Sequence, residues 1–124
     1  MSLSVGSRVE NNIVILDLEG SLTLGPSLHN LRETARQMVN QVHPFGLILR
    51  MGNLAAVDSA GLGELTVVYT LASKQSCRLA LVEVGQSLRT MLEVTHLDGL
   101  LTVAQDIASA RKLFGTGSGA ANAG

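Results

Sequence analysis

The chain has no tryptophan, one tyrosine and two phenylalanines in 124 residues. Its core must therefore be built from aliphatic side chains. A single cysteine, Cys77, cannot close an internal disulfide. That excludes a disulfide-stapled scaffold and points to a reducing, cytosolic setting. Charge is also sparse, at 15%, with nine basic residues against ten acidic ones. No basic excess exists to neutralise a run of phosphates, so no nucleic-acid partner is expected. No apolar run approaches the roughly 20 residues that cross a bilayer, and no charged-then-apolar leader opens the chain. Membrane insertion is therefore not expected. What is present is a 46% hydrophobic composition, which excludes a disordered polymer. The length suits one domain.

The hydrophobic pattern alternates between two periods. Residues 3–9 alternate weakly, Asn11-Asn12 signals a turn, and residues 13–18 form an apolar, β-branched run ending at Glu19-Gly20-Ser21. This predicts a hairpin of two strands. Pro26 opens an amphipathic helix carrying Leu28, Leu31, Ala35, Met38, Val39 and Val42, stopped by His43-Pro44. Residues 46–51 read as a central strand ending at Gly52-Asn53. A helix over 59–74, a strand over 77–84, a short helix over 87–94 and a strand over 100–103 follow. Asp106 then caps a last helix that ends near Phe114. The pattern predicts an α/β domain over residues 1–114, with a mixed sheet of four or five strands and helices packed on it. Residues 115–124 are rich in glycine and alanine without apolar period, and a disordered tail is expected there.

Catalytic chemistry finds little support. His29, His43 and His96 are scattered, and nothing in the sequence brings one to a serine. The histidines and Cys77 have no metal-ligand spacing. Gly61 and Gly63 lack the Gly-Lys-Ser/Thr of a Walker loop. Cys77 reads as a small buried hydrophobe. A binding module without cofactor or metal is expected, not an enzyme.

One segment asks for more: Val57-Asp58-Ser59-Ala60-Gly61-Leu62-Gly63, between a predicted strand and a predicted helix. Asp58 suits an N-cap, which sets Ser59 in the first turn, at the positive end of the helix dipole. Two glycines there weaken a helix by roughly 1 kcal/mol each, and offer a bare surface for close approach. The residues alone leave two readings open: simple caps, or a serine placed to hold a phosphate.

The segment resembles the signature of the STAS domain family, and specifically of its small single-domain anti-sigma-factor antagonists. Asp58, Ser59, Gly61, Leu62 and Gly63 fill the motif, and the likeness extends over Gly20 and Leu22, residues 47–51, 79–84 and 92–98. The resemblance implies a phosphorylation site at Ser59. It also implies a cytoplasmic switch that binds an anti-sigma factor serine kinase when unphosphorylated and releases it when phosphorylated, with a phosphatase restoring the first state. A partner surface of Gly20, Ser21, Thr23, Asp58, Ser59, Ala60, Gly61, Leu62 and Gly63 follows from it. Like charge from Asp58 and Glu64 would face the added phosphate. The alternatives within the family are a scaffold module of a signalling complex, or the STAS partner of a lipid or sulfate transport system. The chain departs from the pattern at Thr23 and Arg50, where many members are acidic, and at His96, where glycine is usual.

Overall fold

The computed structural model describes the backbone of residues 2–123 and the side chains of residues 2–115. The described elements are β1 (Leu3–Glu10), β2 (Ile13–Leu22), α1 (Asn30–Val42), β3 (Gly46–Val57), α2 (Ser59–Lys74), β4 (Arg78–Val82), α3 (Gln86–Val94), β5 (Thr102–Ala104) and α4 (Ile107–Ala123). A single 3-10 turn, Leu97–Gly99, joins α3 to β5. The five strands lie in chain order across one sheet. β1 is antiparallel to β2, and every other pairing is parallel. The mixed sheet expected from the sequence is therefore present. Its hairpin turns at Asn11 and Asn12, both left-handed at φ 51° and 62°. Two-residue hairpins demand that conformation, and asparagine tolerates it.

From β2 onward the chain steps in one direction across the sheet. Right-handed crossovers then place α1, α2 and α3 on the same face. The packing agrees: Val14, Leu16, Leu47, Leu49, Leu79 and Leu81 meet these three helices in one aliphatic core. The opposite face carries a smaller core, in which Ile13, Ile15, Ile48, Ala80 and Val82 meet Ala110 and Phe114 of α4. Beside α4 this face is covered by charge. Arg50 donates to Asp17 at 3.2 Å and to Glu83 at 2.8 Å. Arg8 pairs with Glu10 and Asp17, and Arg111 pairs with Glu10. Arg50 thus stands between two carboxylates that hold its guanidinium charged.

Several boundaries differ from the sequence reading, each for a local reason. β2 does not break at Glu19-Gly20-Ser21, and β3 does not end at Gly52-Asn53. Both run on together, pairing Glu19 with Asn53 and Leu22 with Val57, and absorb the irregular residues as two register shifts. Gly20 takes φ +101°, with the Ser2 carbonyl oxygen where a Cβ would stand. Gly52 leaves room for the Glu83 carboxylate. α1 begins at Asn30, not at Pro26, because residues 25–30 form consecutive turns closed by Leu28 N–H to Gly25 O and Asn30 N–H to Ser27 O. Ser27 Oγ accepts from Leu3 N–H at 2.8 Å, tying this turn to β1. His96 adopts a left-handed φ of 62°, a conformation that glycine enters more readily. At the other end, α4 runs through Ala123 where the sequence reading ends it near Phe114. The tail expected over 115–124 falls mostly outside the described side chains, and the division at residue 114 stands as a proposal.

Candidate functional site

The site lies where the parallel strands β2 and β3 end, and α2 begins. Backbone at the C-terminal ends of parallel strands is where α/β folds present their working surfaces. Asp58 leaves β3 extended, at φ −115° and ψ −173°, and its carboxylate serves two segments. Oδ1 accepts from the Gly61 N–H at 2.9 Å, the N-cap bond foreseen from the sequence. Oδ2 accepts from the Leu24 N–H at 3.0 Å, across 34 residues of chain. One side chain therefore fixes both the first turn of α2 and the loop that leaves β2. These bonds, that from Leu24 first and that from Gly61 second, hold the Asp58 carboxyl below its usual range. A lowered carboxyl contributes its stability above the unfolded pKa and loses it as pH falls through the folded one. At neutral pH the site thus keeps a fixed negative charge beside Ser59.

The two glycines of the motif do different work. Gly61 is buried, and a Cβ there would lie 2.0 Å from the Leu22 carbonyl oxygen. Its bare backbone lets α2 rest directly on the end of β2. Gly63 has nothing within 4 Å of a Cβ and is exposed. The bare surface expected from both glycines is supplied by Gly63 alone. Leu62 and Ser21 are also buried, at 5% and 3% exposure, so these two and Gly61 serve the fold. The structure therefore leaves Ser59 and Gly63 exposed and Thr23, Asp58 and Ala60 half-buried, and turns Ser21, Gly61 and Leu62 inward. Gly20 is half-buried, and its positive φ and its approach to Ser2 account for it within the sheet.

Two features escape the sequence reading. Leu24, next to Thr23, is 79% exposed although its backbone is pinned by Asp58. In sequence it cannot be told from the many leucines that are buried. Glu64 was expected to add like charge near a phosphate, but it is only 3% exposed and is held by Arg32 of α1. The guanidinium donates to both carboxylate oxygens, at 2.7 and 2.6 Å. Glu64 is thus neutralised inside the α1–α2 contact, and Asp58 is left as the adjacent anion.

The remaining chemistry is modest. Burial pushes the Cys77 thiol up to about 11, which keeps it protonated and unreactive. Among the described residues no three histidines, cysteines or carboxylates gather to hold a metal ion. No described helix is long and apolar enough to cross a membrane.

The family model for the STAS domain matches residues 5–110. The chain belongs to the STAS domain family. Solved structures share the fold of this STAS domain. RsbS of Moorella thermoacetica, in a serine-to-glutamate form, superposes with a TM-score of 0.79 at 16% identity, covering 92% of this chain and 97% of its own. An anti-sigma factor antagonist from Mycobacterium paratuberculosis gives 0.74 at 18% identity, covering 91% and 94%. SpoIIAA, a Bacillus cell fate determinant in its phosphorylated form, gives 0.68 at 16% identity, covering 89% and 99%.

Proposed function

We propose that this STAS domain is an anti-sigma-factor antagonist, a protein-binding switch set by phosphorylation of Ser59. The observation that carries the reading is the placement of Ser59. It is exposed, in the first turn of α2, on a helix start that Asp58 clamps to the neighbouring loop. In the unphosphorylated state the surface around Ser59, Ala60, Gly63, Thr23 and Leu24 binds an anti-sigma factor serine kinase, which frees the sigma factor. The kinase then transfers the γ-phosphoryl group of ATP to Ser59 Oγ, with loss of the hydroxyl proton and release of ADP. A phosphatase returns the serine.

The physical chemistry supports a switch that leaves the fold intact. Phosphoserine carries about −1.5 to −2 charge at pH 7. At the start of a helix the dipole and the first N–H groups favour that charge in the free domain. In a packed interface the same group meets desolvation, and it stands beside the Asp58 carboxylate. Binding is penalised while folding is not. The antagonist and phosphorylated-form neighbours of like fold support the same reading.

Incubation with ATP and the anti-sigma factor kinase of the same organism is expected to add one phosphate per chain. Peptide mapping is expected to place it on Ser59, and Ser59→Ala is expected to remain unmodified. A phosphate on another residue, or incorporation unchanged in Ser59→Ala, would overturn the assignment.

A further inference from the structure

We infer that Leu24 is the apolar anchor of the partner contact, received by a leucine-sized pocket of the kinase, and that Asp58 is the residue that positions it. The inference rests on the partner reading above and assigns the energetic centre of that contact. Leu24 is 79% exposed, more than any other large apolar side chain among the described residues. Leu22 and Leu28 on either side of it are buried, so the chain turns this one leucine outward. Its backbone N–H donates to Asp58 Oδ2 at 3.0 Å, while Oδ1 of the same carboxylate accepts from the Gly61 N–H at 2.9 Å. One carboxylate thus joins the loop that presents Leu24 to the first turn of α2, which opens with Ser59.

A single exposed leucine is ordinary on a protein surface. Leu24 stands apart because its loop is fixed at both ends. Asp58 holds the near end. Beyond Leu24 the Leu28 N–H donates to Gly25 O at 3.2 Å, and the Asn30 N–H to Ser27 O at 3.0 Å. Ser27 Oγ accepts from the Leu3 N–H, and Asn30 Nδ2 donates to Leu3 O at 3.2 Å, so β1 secures the far end. Pro26 fixes one backbone angle between them. An apolar side chain on a loop already ordered binds without the ordering cost that a mobile loop incurs. Its removal from water therefore goes into affinity with little offset.

The place of the loop selects the occupant. Val94 is nearly as exposed, at 72%, but it ends α3, whereas Leu24 shares Asp58 with the helix that carries Ser59. A kinase closes around the group it phosphorylates to keep water from the reaction. It therefore covers what adjoins Ser59. From Gly20 to Leu28 the chain carries no charge, so apolar contact is what this flank offers. The matching surface is an uncharged pocket beside the kinase's phosphoryl-transfer cleft.

Calorimetric titration of the ADP-loaded, Ser59-directed kinase with the full chain and its variants tests this. Leu24→Ala is expected to weaken binding about tenfold or more at an unchanged melting temperature. Leu24→Met, which keeps the apolar volume, is expected to bind within about threefold of the unaltered chain. Asp58→Asn keeps an oxygen to cap α2, but its amide nitrogen cannot accept from the Leu24 N–H. It is expected to weaken binding about fivefold in the unaltered chain and less than about twofold in Leu24→Ala, because it acts through Leu24. A kinase that binds Leu24→Ala as tightly as the unaltered chain and phosphorylates Ser59 overturns the anchor, and the switch stands. Losses that simply add overturn the role of Asp58. A chain that dimerises, with the dimer lost in Leu24→Ala, would give the anchor to a second copy and overturn the kinase pocket. A kinase that neither binds nor phosphorylates the unaltered chain sinks both readings. Should Leu24→Ala melt early, methyl NMR of the unaltered chain decides: Leu24 methyl signals unmoved by the bound kinase overturn the anchor.

Discussion

Gly61→Ala is expected to lower the melting temperature by about 8 °C or more, while Gly63→Ala, two residues along the same helix, leaves it unchanged or raises it. The methyl group at position 61 would stand 2.0 Å from the Leu22 carbonyl oxygen, a backbone atom that cannot rotate away. α2 would have to lift from the end of β2, or β2 would have to bend. Overpacking of this kind costs about 1–3 kcal/mol, and more where backbone is the obstacle. The gain in helix propensity, at most about 1 kcal/mol, offsets only part of it. At Gly63 the propensity term acts alone, because no atom lies within 4 Å. Thermal melts of the two variants read the contrast directly. Equal melting temperatures would mean that α2 does not rest on β2 in the way described.

Phe114→Ala is expected to cost about 3–5 kcal/mol, the largest loss of any single truncation on the α4 side of the sheet. Phe114 is 2% exposed and is the large side chain of the smaller core. Its ring fills the space above Gly46, where a Cβ would meet it at 2.5 Å. The Arg78 guanidinium lies over the ring at 5.9 Å and donates to the Leu113 carbonyl at 3.1 Å, closing the edge of the contact. An alanine leaves a cavity that Ala80 and Ala110, small and fixed to a strand and a helix, cannot fill. Removal of residues 116–124, by contrast, is proposed to leave chemical denaturation unchanged, because that stretch offers no large apolar side chain. A midpoint shift on that removal, or none in Phe114→Ala, would place the edge of the domain elsewhere.

Much of this architecture is legible in the chain because periodicity carries it. The aliphatic runs at 13–18 and 46–51 and the helical spacing of Leu31, Ala35 and Val39 are signals of burial. Their aliphatic side chains are buried, while Asp17 and Arg50 within the runs and Met38 and Val42 on the same helix face are half-buried. Asp58 and Asp106 announce their helix starts by the same capping chemistry, and both accept the expected N–H. The failures concern long-range pairing. Gly20 and Gly52 look like breakers in a linear reading, but the strands run on because β2 and β3 stay paired, with the extra residues of the two register shifts carried by β3. The site was legible as a motif but not as a surface. Nothing local distinguishes Gly61, pressed on Leu22, from Gly63, open to solvent. Nor does a linear reading join Asp58 to Leu24, or Arg32 to Glu64, each pair more than thirty residues apart.

The central claim is that a phosphate on Ser59 abolishes partner binding without disturbing the fold. Calorimetric titration of the kinase with the unphosphorylated chain, and with the chain phosphorylated at Ser59, measures both halves when melting curves are recorded alongside. The account predicts binding weaker by about 100-fold, or ~2.7 kcal/mol, with melting temperatures within a few degrees of each other. Equal affinities, or a phosphorylated chain that has lost its cooperative melt, would contradict it.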